Sequence, residues 1–231
     1  MQKTKRKIKM KITGAIFDMD GTLADSLSFW DVFFKRVAKK YGLGDDFRPD
    51  PDTERSIRTL PFKEGMALMH ERCGVGGSAD EMLQTAFDMC RVFYAEDVEM
   101  KAGALDFLRL CKEKGIKMCV ASATQRDLLE IVMERFGLYE YLPKVFSCGD
   151  IGKGKDVPDI FDMAREYLGT DKESTWIFED STVAIETAKK AGYKVVGIYD
   201  KYNFDHERVR ASSDKYIAAG ETLMKLKGKN I

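Results

Sequence analysis

Apolar residues along this chain fall into two kinds of pattern, and the two are segregated. Five short runs carry several apolar residues in succession: Ile12–Asp18 (ITGAIFD), Ile116–Ser122 (IKMCVAS), Lys144–Cys148 (KVFSC), Ser174–Asp180 (STWIFED) and Tyr193–Tyr199 (YKVVGIY). Strands covered on both faces read this way. The helical stretches between them end in glycine, at Gly115, Gly137, Gly169 and Gly192, where a left-handed C-terminal residue is expected. Strand–helix alternation of this kind predicts an α/β fold, a Rossmann-like parallel sheet with helices on both faces.

One region breaks the rhythm. From about Leu27 to Asp97 only helical periodicity is present. Phe29, Trp30, Phe33, Phe34, Val37, Ala38 and Tyr41 form one apolar stripe, and Met82, Leu83, Ala86, Phe87, Cys90, Phe93 and Tyr94 form another. A capping-box signal, Ser78 to Glu81, introduces the second. The pattern predicts an inserted all-α domain over 27–97, between the two parts of a core built from 1–26 and 98–231.

Length and composition fit this picture and exclude several others. At 231 residues the chain can bury a substantial core. Lys and Arg together equal Asp and Glu at 38 each, so no global field draws nucleic acid or an anionic membrane. No run approaches the roughly 18–20 apolar residues of a membrane span. The basic start, MQKTKRKIKMK, lacks the apolar segment of a secretory signal. Cys73, Cys90, Cys111, Cys119 and Cys148 are odd in number and never spaced as CxxC, which argues against a zinc site or a disulfide framework and for a reducing, cytoplasmic setting. With only His70 and His206, histidine-based metal clusters and triads have little material.

The chemistry gathers where parallel sheets bind ligands, outside the carboxyl ends of the strands. Those ends carry Asp18 and Asp20, then Ser122 and Thr124, then Glu179 and Asp180, with Lys155 in the loop after the fourth-listed run's predecessor, KVFSC. Clustered carboxylates call for a hard cation, and an oxygen site of this type suits Mg²⁺. The loop at Ser122 opens a helix whose free amides favour phosphate, and Lys155 adds a point charge for the same anion.

These motifs carry a resemblance. DMDGT (Asp18–Thr22) resembles the first motif of the haloacid dehalogenase-like phosphohydrolases. VASAT is similar to their second, with Ser122 as its hydroxyl, Lys155 in GKGKDVPDIF to the third, and WIFEDS to the acidic fourth. The helical insert resembles the type 1 cap of the subgroup containing β-phosphoglucomutase and many sugar-phosphate phosphatases. Two departures stand out: Asp156 replaces the proline often found after the third-motif lysine, and Ala102-Gly103 replaces Pro-Gly before the helix leading to the second motif.

The resemblance implies a mechanism. Asp18 is the nucleophile and forms an aspartyl-phosphate; Asp20 is the general acid and base. Mg²⁺ is held by Asp18, the Asp20 carbonyl, Glu179 and Asp180. Asp20, Gly21, Ser122, Ala123 and Lys155 bind the phosphate, and Ser122 and Lys155 complete the catalytic set. Asp20 favours phosphoryl transfer over dehalogenation. Trp30, standing where the mutase relatives tend to carry a histidine, favours hydrolysis over a phosphomutase. Substrate contacts from the insert are expected among Trp30, Arg58, Lys63, His70 and Arg91. The expected protein is a monomeric phosphatase of a small phosphorylated metabolite, without a nucleic-acid or membrane partner.

Other readings of the same residues are weaker. An EF-hand loop starting at Asp18 needs glycine and glutamate where Leu23 and Phe29 stand. GDIGKGKD lacks the Ser/Thr of a P-loop, since Asp156 follows Lys155. GVGGSA (74–79) matches a dinucleotide turn but follows a helical pattern. Two non-enzyme alternatives are a phosphosugar-binding module and polyanion binding by the basic start; the alternation in KIKMKI instead predicts an extension of the first strand.

Overall fold

The computed structural model describes residues 12–228, so the expected strand extension over KIKMKI lies outside the described residues. The chain divides into two compact units. One holds the residues up to Asp25 and those from Glu99 onward, and the other is Ser26–Val98.

The first unit is built on a sheet of six parallel strands: β1 (Gly14–Phe17), β2 (Lys117–Ser122), β3 (Val145–Ser147), β4 (Thr175–Glu179), β5 (Lys194–Ile198) and β6 (Lys215–Ile217). Their order is β3-β2-β1-β4-β5-β6. Consecutive residues of β1 and β4 alternate between two apolar layers. Ile16 and Ile177 join Cys119, Ala121 and Val195 against Ile160, Phe161, Ala164, Ile185 and Ala188. On the opposite face Phe17 stacks on Phe178 at 4.4 Å, and both rings meet Phe107. Burial on both faces explains why these strands read as continuous apolar runs. The sixth strand was not expected: it spans three residues, and Lys215 and Tyr216 are only partly buried, so no apolar run marks it.

Helices of this unit follow from the connections: α5 (Ala104–Glu113), α6 (Arg126–Arg135), the short α7 (Cys148–Ile151), α8 (Asp159–Leu168), α9 (Thr182–Lys190) and α10 (His206–Ser212). Gly103, where the resemblance led one to look for Pro-Gly, sits at φ 75° immediately before α5, a conformation open to glycine.

The second unit contains α1 (Phe29–Tyr41), α2 (Pro51–Thr59), α3 (Phe62–Cys73) and α4 (Ala79–Val92), the last continuing into a π-helical turn at Phe93–Asp97. Phe29, Phe33, Phe34, Val37 and Ala38 are buried along α1, and Met82, Ala86, Cys90, Phe93 and Tyr94 along α4 and its extension. Trp30, Tyr41, Leu83 and Phe87 sit at the stripe margins and remain partly exposed. Ser78 caps α4 by accepting from the Glu81 N–H at 3.1 Å. Glu81 reaches back to the Gly77 amide at 2.9 Å, one residue beyond the N-cap amide that the usual box engages. GVGGSA is thus the connector between α3 and α4, with Gly74 closing one helix and Ser78 opening the next.

Candidate active site

The strand order reverses direction at β1 and β4, which are neighbours in the sheet. A crevice outside their carboxyl ends is where such sheets bind ligands. Asp18 follows β1 directly and its N–H donates to the Phe178 carbonyl at 2.9 Å; Glu179 ends β4 and Asp180 follows it. Strand pairing alone therefore brings the first and fourth motifs side by side. The carboxylates of Asp18, Glu179 and Asp180 are all buried, with oxygens within 4.8 Å of one another.

Lys155 enters the same cluster. Its ammonium donates to Asp18 Oδ1 at 2.5 Å and to Glu179 Oε1 at 3.3 Å. Lys153, two residues earlier, is exposed and pairs with Asp159, so position separates the two lysines of GKGK.

The chain leaves β1 through a tight turn in which the Met19 carbonyl accepts from the amides of Thr22, Leu23 and Ala24. Gly21 adopts φ 78° here, and its N–H donates to the Ala24 carbonyl at 2.9 Å. Its positive φ shapes the turn that carries the backbone from Asp18 to Thr22. Asp20 faces another direction from Asp18. Its Oδ2 accepts from Thr124 Oγ at 2.6 Å and from Ser122 Oγ at 3.5 Å. Ser122 in turn accepts the Thr124 N–H at 3.1 Å, and Ser147 donates to the Thr124 carbonyl at 2.7 Å. Ala123 lies exposed beside them.

Asp180 is oriented by two neutral donors, Thr22 Oγ on Oδ1 at 3.3 Å and Asn203 Nδ2 on Oδ2 at 2.7 Å. Thr124 is noted in the sequence at its strand end without a role, whereas Thr22, Ser147 and Asn203 are not among the predicted site residues. Thr22 stands within DMDGT and could have been drawn from it; Asn203 carries no signal in the sequence.

Burial dominates the electrostatics. It raises the Asp18 carboxyl, opposed by the Lys155 charge and assisted by Asp20. It raises Glu179 well above the usual range, reinforced by the Asp18 charge, and pushes Asp180 up to about 7, again with help from Asp18. Burial alone would lower the Lys155 ammonium, but the charges of Asp18 and Glu179 outweigh it and raise it. Three acids around one lysine leave the pocket short of positive charge, and Glu179 Oε2 is buried without a hydrogen-bond partner. Hard oxygen donors, an orphaned acceptor and excess negative charge all fit a divalent cation.

The residues expected to contact substrate lie on all four helices of the second unit. Trp30 packs edge-on against Phe29 and Phe33. Arg58 pairs with Glu54 one turn earlier on α2, and His70 Nδ1 bonds the Val75 carbonyl at 2.9 Å. Arg91 on α4 and Lys63 near the start of α3 are both exposed. Packing and local hydrogen bonds account for the positions of the first three.

Comparison with known proteins agrees with this geometry. A Thermotoga maritima phosphatase of phosphorylated carbohydrates is 28% identical over 215 residues, 92% of this chain and 97% of its own. Validoxylamine A 7'-phosphate phosphatase of Streptomyces hygroscopicus subsp. limoneus is 28% identical, with 80% and 84% covered. A solved Thermotoga maritima structure, provisionally named a beta-phosphoglucomutase, superposes with a TM-score of 0.75 at 28% identity over 89% of this chain and 94% of that one. The family model described as haloacid dehalogenase-like hydrolase matches residues 15–198, a span that runs from β1 to the end of β5 and takes in every carboxylate of the cluster. The chain is therefore a member of the haloacid dehalogenase-like hydrolases.

Proposed function

We propose that this protein is a Mg²⁺-dependent phosphatase that hydrolyses small phosphate monoesters, a sugar phosphate or similar metabolite, through an aspartyl-phosphate on Asp18. The observation that carries this reading is the division between the two aspartates of DMDGT. Asp18 lies buried against Lys155, whereas Asp20 is partly exposed and turned toward the hydroxyls of Ser122 and Thr124.

Asp18, whose carboxylate form Lys155 favours against the effect of burial, attacks phosphorus in line, and the ester oxygen departs as Asp20 gives it a proton. Asp20, now a carboxylate, takes a proton from the water that attacks the phosphoaspartate, which returns both residues to their starting states. Ser122, the Ala123 amide and Lys155 donate to the phosphoryl oxygens. Asp18, Glu179, Asp180 and the Asp20 carbonyl would hold Mg²⁺, which when bound supplies charge neutralisation for the transferring group. The names of the relatives support a phosphorylated carbohydrate as substrate.

The test is a panel of sugar phosphates and nucleotides, assayed with Mg²⁺ and with chelator, scoring free phosphate and isomerised product. Phosphate release that depends on Mg²⁺ is expected. Isomer formation without release would replace the phosphatase reading with a phosphomutase one.

A further inference from the structure

We infer that Asn203 is a positioning residue for the cation site, acting through Asp180; this rests on the metal-dependent reading of the site. Asn203 lies in the loop after β5, 23 residues beyond Asp180 in sequence, and one side-chain nitrogen serves Asp180 twice. Nδ2 donates to the Asp180 carboxylate Oδ2 at 2.7 Å and to the Asp180 backbone carbonyl at 3.0 Å. Because both partners are acceptors, only the amide nitrogen can face them, which fixes the orientation of the Asn203 side chain.

The loop that carries Asn203 is itself anchored. Asp200 is buried, forms an ion pair with Lys101 at 2.7 Å and accepts from the Tyr202 N–H at 2.9 Å. The Asp200 carbonyl accepts the Asn203 N–H at 3.1 Å and is met by His206 Nε2 at 2.8 Å. Lys101 is tied to the connection following β1, its own N–H donating to the Leu23 carbonyl. Asn203 is thus presented to Asp180 from a frame that reaches the turn bearing Asp20.

The chemistry of the donor matters. Asp18 and Glu179 are bridged by an ammonium, which cancels charge. Asp180 is held from both oxygens by neutral groups, Thr22 Oγ and Asn203 Nδ2, so its orientation is fixed without an ammonium occupying the place of a cation. Each oxygen has two acceptor positions, and one donor apiece leaves room for a metal. Partners of ligating carboxylates typically set metal affinity by about 10–100-fold.

The experiment compares Mg²⁺ affinity, by calorimetric titration and by metal-dependent thermal shift, for wild type, Asn203→Ala, Asn203→Ser and Asn203→Asp, alongside activity against Mg²⁺ concentration. Both neutral variants are expected to bind Mg²⁺ about 10–100-fold more weakly, with activity recovering at high Mg²⁺. Asn203→Ser, whose shorter side chain keeps the site polar, carries the comparison if Asn203→Ala does not fold. Asn203→Asp is nearly isosteric but replaces the donor by a like charge, so its loss should exceed that of the serine variant. Unchanged Mg²⁺ affinity in the neutral variants, or an aspartate variant that binds as well as wild type, overturns the inference. Absence of Mg²⁺ binding by wild type would instead overturn the metal-dependent reading on which it rests.

Discussion

Lys155 and Lys153 differ by two positions and by almost everything physical. The side chain of Lys155 is 8% exposed and touches two buried acids. Removing one partner of a buried ion pair leaves uncompensated charge and typically costs about 3–5 kcal/mol. Lys155→Met is therefore expected to lower stability by an amount of that order in metal-free urea denaturation, and to abolish turnover. Lys153→Met, at a solvent-exposed pair, should change stability by no more than about 0.5 kcal/mol. Asp20 supplies the second residue-scale contrast. Asp20→Asn keeps the shape that meets Ser122 and Thr124 but cannot exchange a proton. Turnover should fall by about 10²–10⁴ while inhibition by inorganic phosphate is largely kept; unchanged turnover would remove Asp20 from its proposed role.

Strand β5 shows how an element transmits to the site. Gly197 pairs in register with Glu179 on one side and Tyr216 on the other. A Cβ at Gly197 would collide with the Ser213 hydroxyl and lie 3.2 Å from Val209 Cγ1. The Ser213 hydroxyl is bound to the Val209 carbonyl at 2.6 Å, so it has little freedom to yield. Gly197→Ala is expected to destabilise by about 1–3 kcal/mol in chemical denaturation, the usual cost of overpacking. The same element scale decides what could be read from sequence. Five strands announced themselves because both faces are apolar, and their carboxyl ends delivered Asp18, Ser122, Glu179 and Asp180 without any coordinates. β6 escaped because three residues with a partly exposed start carry no period. Asn203 escaped for a different reason: its role depends on where the loop after β5 folds back, which no local pattern encodes. The insert was legible as helices, but the margins of its stripes were not, since Trp30 and Tyr41 look as apolar as their buried neighbours.

At the scale of the whole molecule, the proposed cation site predicts that stability depends jointly on pH and on a divalent cation. Without metal, Asp180 is raised from 3.8 to about 7, and Asp18 and Glu179 are raised as well, burial being the leading cause in each. The folded metal-free state thus binds more protons than the unfolded chain. Its stability from these groups is fully present below about pH 4 and is lost as pH rises through the folded values. Asp50, Asp162, Asp214 and Glu186 are held below their ordinary 3.8 or 4.5, so they stay ionised in the folded state above pH 5 and do not compete in this window. A cation binds the deprotonated carboxylates and must displace any protons they hold. Stabilisation by Mg²⁺ should therefore be small at pH 5.5 and grow toward pH 8. Saturation at one hundred times the dissociation constant adds about 2.7 kcal/mol, or about 5–10 °C in Tm for a chain of this size. Thermal melts with Mg²⁺ and with chelator, paired at each pH, isolate the effect because all groups remote from the site cancel in the difference. A Mg²⁺-induced shift that is constant or shrinks between pH 5.5 and 8 would mean that the cation is not held by these carboxylates.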